Sequence, residues 1–314
     1  MGRRATPAAA GVFILAAVLL AGCAAPQVSA LVARLPAGLP AAAEIASVPF
    51  HAQEDYQCGP ASLAAVLQHA GRDATPASLV PQVYVPARKG SLQAEMLAAT
   101  RRHGLVAYQL APRLEALLRE IAAGTPVLVL QNLALDWVPQ WHYAVAIGYD
   151  LEARSLLLRS GVTRRLAMRL DTFERTWARS GHWAMLALPP ERLPQTAAEL
   201  PYLAAVAALE RAAPAAARRG YETALAHWPD SIAAELGLGN ARYALRDLAG
   251  AAAAYLGATQ RHPASADAWN NLAQALIELG SRDEALAAAR RAVALGGPRL
   301  RTYRETLETI LQQR

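Results

Sequence analysis

The stretch VPFHAQEDYQCGPASLAAVLQHAG, residues 48–71, contains the residues on which the fold and the candidate chemistry depend. After Cys58, apolar residues recur at helical spacing up to Gly71, and glycine commonly follows the end of a helix. The pattern therefore predicts Cys58 at or just before a helix N-terminus. Unpaired backbone N–H groups and the helix dipole favour a thiolate there, so we expect a lowered thiol pKa and a nucleophilic Cys58.

Downstream, capping residues and β-rich runs predict further elements. Helices are expected over 91–102 and 113–123, and strands over 125–130, 141–150, 155–160 and 182–188. Helices followed by an antiparallel sheet form an α+β layout. His142 lies on the second strand, 84 residues after Cys58. A thiol on a helix followed by an imidazole on a later strand is the papain-like order, in which the imidazole takes the thiol proton.

These motifs resemble those of a known family. Gln53, the Cys-Gly-Pro-Ala cluster at 58–61, and the segments HYAV at 142–145 and GYD at 148–150 are similar to the bacteriocin leader-processing, double-glycine cysteine peptidases of family thirty-nine and their stand-alone relatives. The resemblance covers residues 46–190. It implies a papain-like domain that acts on a peptide or protein substrate.

The same resemblance implies roles for individual residues. Gln53 matches the glutamine that donates its amide to the oxyanion, and Gln57 is a less favoured substitute. The family places an Asp on the strand after the histidine, where this chain has Ser160 or a neighbour. A serine can orient the imidazole but supplies no negative charge, and Asp150 and Asp171 are the alternatives.

The N-terminus has the pattern of a targeting signal. Residues 1–23 have a basic head, a short apolar run and the ending Leu-Ala-Gly-Cys, which resembles the bacterial lipoprotein signal. Cys23 is then a lipid anchor to the membrane, the alternative being an ordinary signal with an incidental cysteine. Ala24 favours the outer membrane facing the periplasm, and residues 24–45 are expected to serve as a tether.

Composition excludes several classes. The chain has 314 residues with 54% hydrophobic and 18% charged, which excludes disorder and fits two domains. Of the formal net charge of +6, two charges belong to Arg3 and Arg4, and no basic run remains for nucleic acid. Two cysteines exclude a disulfide scaffold. We expect no cofactor and no metal, because His51, His69, His103 and His182 lack ligand spacing.

The region 195–314 is rich in alanine and repeats with a period of 34. One alanine position recurs at 217, 251 and 285, and a second recurs at 224, 258 and 292. With a following tyrosine and a closing proline, this unit resembles the tetratricopeptide repeat. The resemblance implies an all-α solenoid of about three repeats, a cap helix over 301–313, and a surface that binds a protein partner. A plain alanine-rich bundle is the alternative.

The sequence thus predicts a lipid-anchored periplasmic cysteine peptidase in which Cys58 and His142 act together and the repeats recruit substrate or partner. The alternative is a weak or inactive peptidase-like scaffold that binds peptides or partners through its repeats, which the atypical Ser160 favours. A third possibility is an amidase or transferase that forms the same thioester from a non-peptide amide.

Overall fold

The computed structural model describes residues 25–53 and 57–312. The expected signal peptide and Cys23 lie outside these residues. Contacts between Cα atoms divide the chain into two compact units, Met1–Leu92 with Leu110–Leu186, and Gln93–Gln109 with Ala187–Arg314. No helix in the described part of the chain is both long enough and apolar enough to cross a membrane.

The elements follow one another with short connections. Up to residue 188 they are α1 (Pro26–Ala33), β1 (Ala42–Glu44), α2 (Cys58–His69), α3 (Pro76–Val83), β2 (Tyr84–Val85), β3 (Gly90–Ser91), α4 (Gln93–Arg102), β4 (Val106–Gln109), α5 (Leu114–Ala122), β5 (Val127–Asn132), β6 (Trp141–Asp150), β7 (Ser155–Ser160), β8 (Thr163–Arg169), α6 (Leu170–Ala178) and β9 (Ala184–Leu188). From residue 199 they are α7 (Glu199–Ala207), α8 (Pro214–His227), α9 (Ile232–Ala244), α10 (Leu248–Arg261), α11 (Ala266–Glu278), α12 (Arg282–Leu295) and α13 (Leu300–Gln312).

The central sheet has the order β4-β9-β5-β6-β7-β8, and the pairs from β9 to β8 are antiparallel. One edge of β6 is shared by two strands: β5 pairs with its first six residues, and β1 pairs with Gly148 to Asp150. Helix α2 packs on β6 through a continuous run of buried residues, 59–67. This packing brings the first residue of α2 to the strand that carries His142.

The α+β domain followed by an all-α solenoid confirms the expected fold class. The three expected helices and four expected strands are present, with ends that differ by one or two residues. Several elements were not predicted from the sequence: α3, β2, β3, β4, β8 and α6. Strand β8 is an edge strand with exposed arginines, so its side chains carry little of the apolar alternation that marks a half-buried strand.

The segment that the sequence assigns to a tether contributes a helix and a strand to the first unit. Val28 and Leu31 of α1 are buried, and β1 pairs with β6. The N-terminal turn of α1 has no capping side chain of its own. The Glu174 carboxylate accepts hydrogen bonds from the N–H groups of Gln27 and Val28, at 2.8 and 2.7 Å. A carboxylate at a helix N-terminus satisfies unpaired donors and complements the dipole, which holds this segment in place.

The 34-residue period is visible in the positions of the helices. α8, α10 and α12 begin at Pro214, Leu248 and Arg282, and α9, α11 and α13 begin at Ile232, Ala266 and Leu300. Each helix packs against the next along the chain. Three helix pairs of equal length therefore stack in sequence, as expected of a solenoid.

The recurring small residues are the packing positions of these helices. Ala217, Ala251 and Ala285 are fully buried, and so are the second set of recurring alanines, at 224, 258 and 292. Tyr221 and Tyr255 are buried against glycines of α9: a Cβ at Gly237 would overlap the ring of Tyr221, and one at Gly239 would overlap the ring of Tyr255.

This packing generates a first prediction. Gly237→Ala is expected to lower the free energy of unfolding by about 1–3 kcal/mol, because the added methyl group overpacks against Tyr221. Gly257→Ala is the matched control, since its Cβ would meet only the flexible end of Arg261 at 3.1 Å and alanine favours helix. Urea unfolding of both variants measures the difference. Equal stability of the two variants would contradict close packing at the tyrosine.

Candidate active site

Cys58 is the first residue of α2 and is partly buried. The residue before it, Gln57, makes no side-chain capping hydrogen bond to the helix. Backbone N–H groups of Cys58, Gly59 and Tyr143 interact with the sulfur and favour its thiolate. Tyr143 is the residue after His142, so the sulfur lies beside the strand that carries the imidazole.

Burial outweighs these backbone hydrogen bonds and raises the pKa of the Cys58 thiol. The expectation of a lowered thiol pKa is therefore not met in this structure, because α2 is buried from its second residue and little water remains to solvate a thiolate. Burial also lowers the pKa of the His142 imidazole. Both shifts favour the uncharged forms of the thiol and of the imidazole.

His142 and Ser160 are brought together by the pairing of β6 with β7. The Nε2 atom of His142 lies 2.8 Å from the Oγ atom of Ser160. With Ser160 as acceptor, the proton sits on Nε2, and Nδ1 has the free lone pair that a base needs. Ser160 therefore contacts the His142 ring without adding a charge.

Gln53 lies against the first turns of α2. Its Nε2 atom donates to the Ser62 hydroxyl at 3.4 Å, and Ser62 donates in turn to the Tyr143 carbonyl at 3.1 Å. Ser62 is four residues after Cys58 and so lies on the same face of the helix. One N–H of the Gln53 amide is used in this way, which holds the amide against the first turns of α2.

The guanidinium of Arg159 holds the segment that leads to Gln53. Its Nε and Nη2 atoms donate to the Val48 carbonyl at 3.2 and 2.9 Å, and Nη2 also donates to Ala46 at 3.2 Å. Its Nη1 atom donates to the Arg164 carbonyl. Two residues further along, the Gly161 carbonyl accepts from the Gln53 N–H at 3.2 Å. The end of β7 therefore positions Gln53 as well as His142.

Arg159 and Ser62 were not among the site residues predicted from the sequence. The position of Ser62 one helical turn after Cys58 is a signal that could have found it. No comparable signal exists for Arg159, because a single arginine within a strand does not reveal which distant carbonyls it binds.

Asp150 and Asp171, the alternatives to Ser160, form their contacts away from His142. The Asp150 carboxylate accepts from the Ala153 N–H at 2.8 Å in the turn after β6, eight residues or about 26 Å along the strand from His142. Asp171 forms an exposed ion pair with Arg169.

His51 contacts Gln68, and His182 packs on the ring of Trp177. Among the described residues, no group of three or more His, Cys, Asp or Glu could hold a metal ion.

A thiol at a helix N-terminus, a histidine on an adjacent strand and a glutamine before the thiol define the papain-like cysteine peptidase class of fold. Residues 45–185 match the model of the Peptidase_C39 like family. The family resemblance expected from the sequence is confirmed over these residues.

The solved structures to which the chain is similar include a protein of Bacillus anthracis described as a C39-like peptidase, with 19% identity over 47% of this chain and 97% of that one, at a TM-score of 0.40. Two structures of MamA are 17% and 14% identical over 35% and 46% of this chain and 67% and 70% of theirs, at TM-scores of 0.31 and 0.32. No curated protein matches the sequence. Identities and TM-scores this low carry no conclusion about function.

The hydrogen bonds of Arg159 generate a second prediction. Arg159→Met is expected to lower the free energy of unfolding by about 2–4 kcal/mol, because it leaves buried carbonyls unpaired. Arg165→Met is the control, since this exposed arginine pairs only with Glu44 at the surface and its loss should change stability little. Urea unfolding measures both. A small effect of Arg159→Met would show that the 46–48 segment is held by other contacts.

The pKa shifts generate a third prediction. Iodoacetamide alkylation of Cys58, in a Cys23→Ser chain, is expected to rise with a midpoint above the value of about 8.5 for a free thiol, because the thiol keeps its proton until the pH exceeds its raised pKa. His142→Ala should leave this midpoint nearly unchanged. A midpoint well below 7 that is lost in His142→Ala would instead demonstrate a resting thiolate–imidazolium pair.

Proposed function

We propose that the protein is a cysteine peptidase in which Cys58 attacks a peptide carbonyl and His142 acts as the base. The observation that carries the proposal is the hydrogen bond between His142 and Ser160. With Ser160 as acceptor, Nδ1 keeps its lone pair, on the strand whose next residue, Tyr143, contacts the Cys58 sulfur through its backbone. A neutral imidazole is the form that can accept the thiol proton.

The steps follow from this arrangement. As the Cys58 sulfur bonds to the carbonyl carbon, the thiol proton passes to Nδ1 of His142, and the oxyanion accepts from Gln53 Nε2 and the Cys58 N–H. The imidazolium then protonates the leaving amine, and a thioester remains. A water molecule, deprotonated by His142, hydrolyses the thioester and restores the thiol. The neutral resting pair places the charge separation in the transition state and not in the free enzyme.

The proposal extends to location and recruitment. We propose that Cys23 is lipidated, which would hold the protein on the periplasmic face of the outer membrane, and the Leu-Ala-Gly-Cys ending supports this. We also propose that the helical unit binds a protein. Helices α9, α11 and α13 carry a row of polar side chains, in which Asn240 contacts Asn271 and Gln274 contacts Thr306. Such a row offers hydrogen-bonding groups to a polypeptide.

A peptidase-like scaffold is the second candidate. Two observations favour it: Ser160 brings no charge to stabilise an imidazolium, and burial raises the pKa of the Cys58 thiol. In this reading the first unit would bind a peptide without cleaving it.

Activity measurements separate the two candidates and make the fourth prediction. Incubation with a peptide library and mass spectrometry should show cleavage that Cys58→Ser abolishes. Gln53→Ala should lower kcat/KM by about 10²–10³ through loss of an oxyanion donor. Ser160→Ala should lower it about tenfold, the worth of one neutral hydrogen bond.

Ser160→Asp is the matched variant that tests the role of charge at this position. A carboxylate there should raise the pKa of His142 and increase kcat/KM, because it stabilises the imidazolium that forms during attack. Peptide binding without cleavage, in the native chain and in Ser160→Asp alike, would establish the scaffold.

A further inference from the structure

The connection between β5 and β6 exposes a cluster of large apolar side chains, which we call the apolar loop, residues 133–141. Trp137 is 79% exposed, and four other members are at least 40% exposed. These members are Leu133, Leu135, Val138 and Trp141. Isolated exposed apolar residues are ordinary at a protein surface, but five within nine residues mark an interaction site.

The apolar loop has a defined shape. Asn132, which is 1% exposed, accepts hydrogen bonds at its Oδ1 atom from the N–H groups of Ala134 and Gln140, at 3.1 and 2.9 Å. Leu135 and Val138 form a bridge across the loop. The polar backbone is therefore satisfied from within, and the apolar side chains are directed outward by a rigid turn.

The arrangement of β6 argues against a role in the catalytic subsite. Trp141 and His142 are consecutive residues of this strand, and successive side chains of a strand point to opposite faces of the sheet. Trp141 is therefore directed away from the imidazole. Asp136 is the one ionisable residue of the apolar loop, and it lies 4.0 Å from Arg179, so the loop offers no net charge to a polar peptide.

The loop and the N-terminal segment are connected through α6. Glu174 of this helix binds the first N–H groups of α1, and Arg179 at its end donates to the Asn132 carbonyl at 3.2 Å. Five helical residues span roughly 7.5 Å. Cys23 precedes Gln27 by four residues, which span at most about 14 Å. A lipid at Cys23 and the apolar loop can therefore reach the same surface.

From these observations we propose that the apolar loop inserts into the surface of the lipid bilayer to which the protein is anchored. The inference rests on the proposed lipidation of Cys23. Tryptophan side chains favour the boundary between lipid and water, and leucine and valine favour the acyl region beneath it. A lipid anchor together with this second contact fixes the orientation of the first unit. Because His142 directly follows Trp141, it then lies close to the membrane surface.

A fluorescent label tests the proposal on the full chain. Val138→Cys is made in a Cys58→Ser background, purified from bacterial membranes and labelled with NBD, and Leu200→Cys in the helical unit is the matched control, since Leu200 is 75% exposed. Both are placed on vesicles of phosphatidylethanolamine and phosphatidylglycerol. We expect a blue shift and several-fold quenching by doxyl lipid at 138 and neither effect at 200. Trp137→Cys is the second labelling site.

Each other outcome is distinguishable. Chains that float with the vesicles but keep both loop labels in water would overturn the insertion and leave the lipid anchor in place. Chains that fail to float would contradict the anchor and the insertion together. A concentration-dependent blue shift without vesicles would assign the loop to a second copy of the chain. A label at 138 that responds to a cleaved peptide and not to vesicles would assign it to substrate.

Discussion

The buried guanidinium of Arg159 is the contact on which the candidate site depends. It binds the carbonyls of Ala46 and Val48, which precede Gln53, and it lies next to Ser160, which orients His142. A charge at this depth is stable only because each of its nitrogens has a main-chain partner. The positions of Gln53 and of His142 are thus coupled through the end of one strand.

The chemistry of the site follows from burial as much as from residue identity. A thiol at a helix N-terminus ordinarily favours its thiolate, but here removal from water dominates and raises the pKa of the Cys58 thiol. The imidazole is shifted in the opposite direction, toward its neutral form. Since Ser160 adds no charge, nothing at its position opposes the effect of burial on the imidazole. Burial therefore favours the uncharged thiol and the uncharged imidazole over an ion pair between them.

The helical unit depends on a different constraint, the close approach of helix backbones. Buried alanines at one interval of 34 let the helices approach, and the rings of Tyr221 and Tyr255 fill the spaces above glycines. The same residues that repeat in the sequence are those that pack in the structure. This is why the repeat could be predicted from the sequence alone.

The sequence alone determined the features that depend on local pattern. Helical spacing after Cys58, the β-rich run around His142 and the 34-residue period predicted the α+β domain, the position of the thiol and the solenoid. The tertiary structure decided what depends on distant residues: Glu174 holds the start of α1 and draws the expected tether into the fold, Arg159 and Ser62 position Gln53, and burial sets the direction of both pKa shifts. Desolvation and hydrogen bonds between residues a hundred positions apart have no local sequence pattern, because they arise only when the chain is packed.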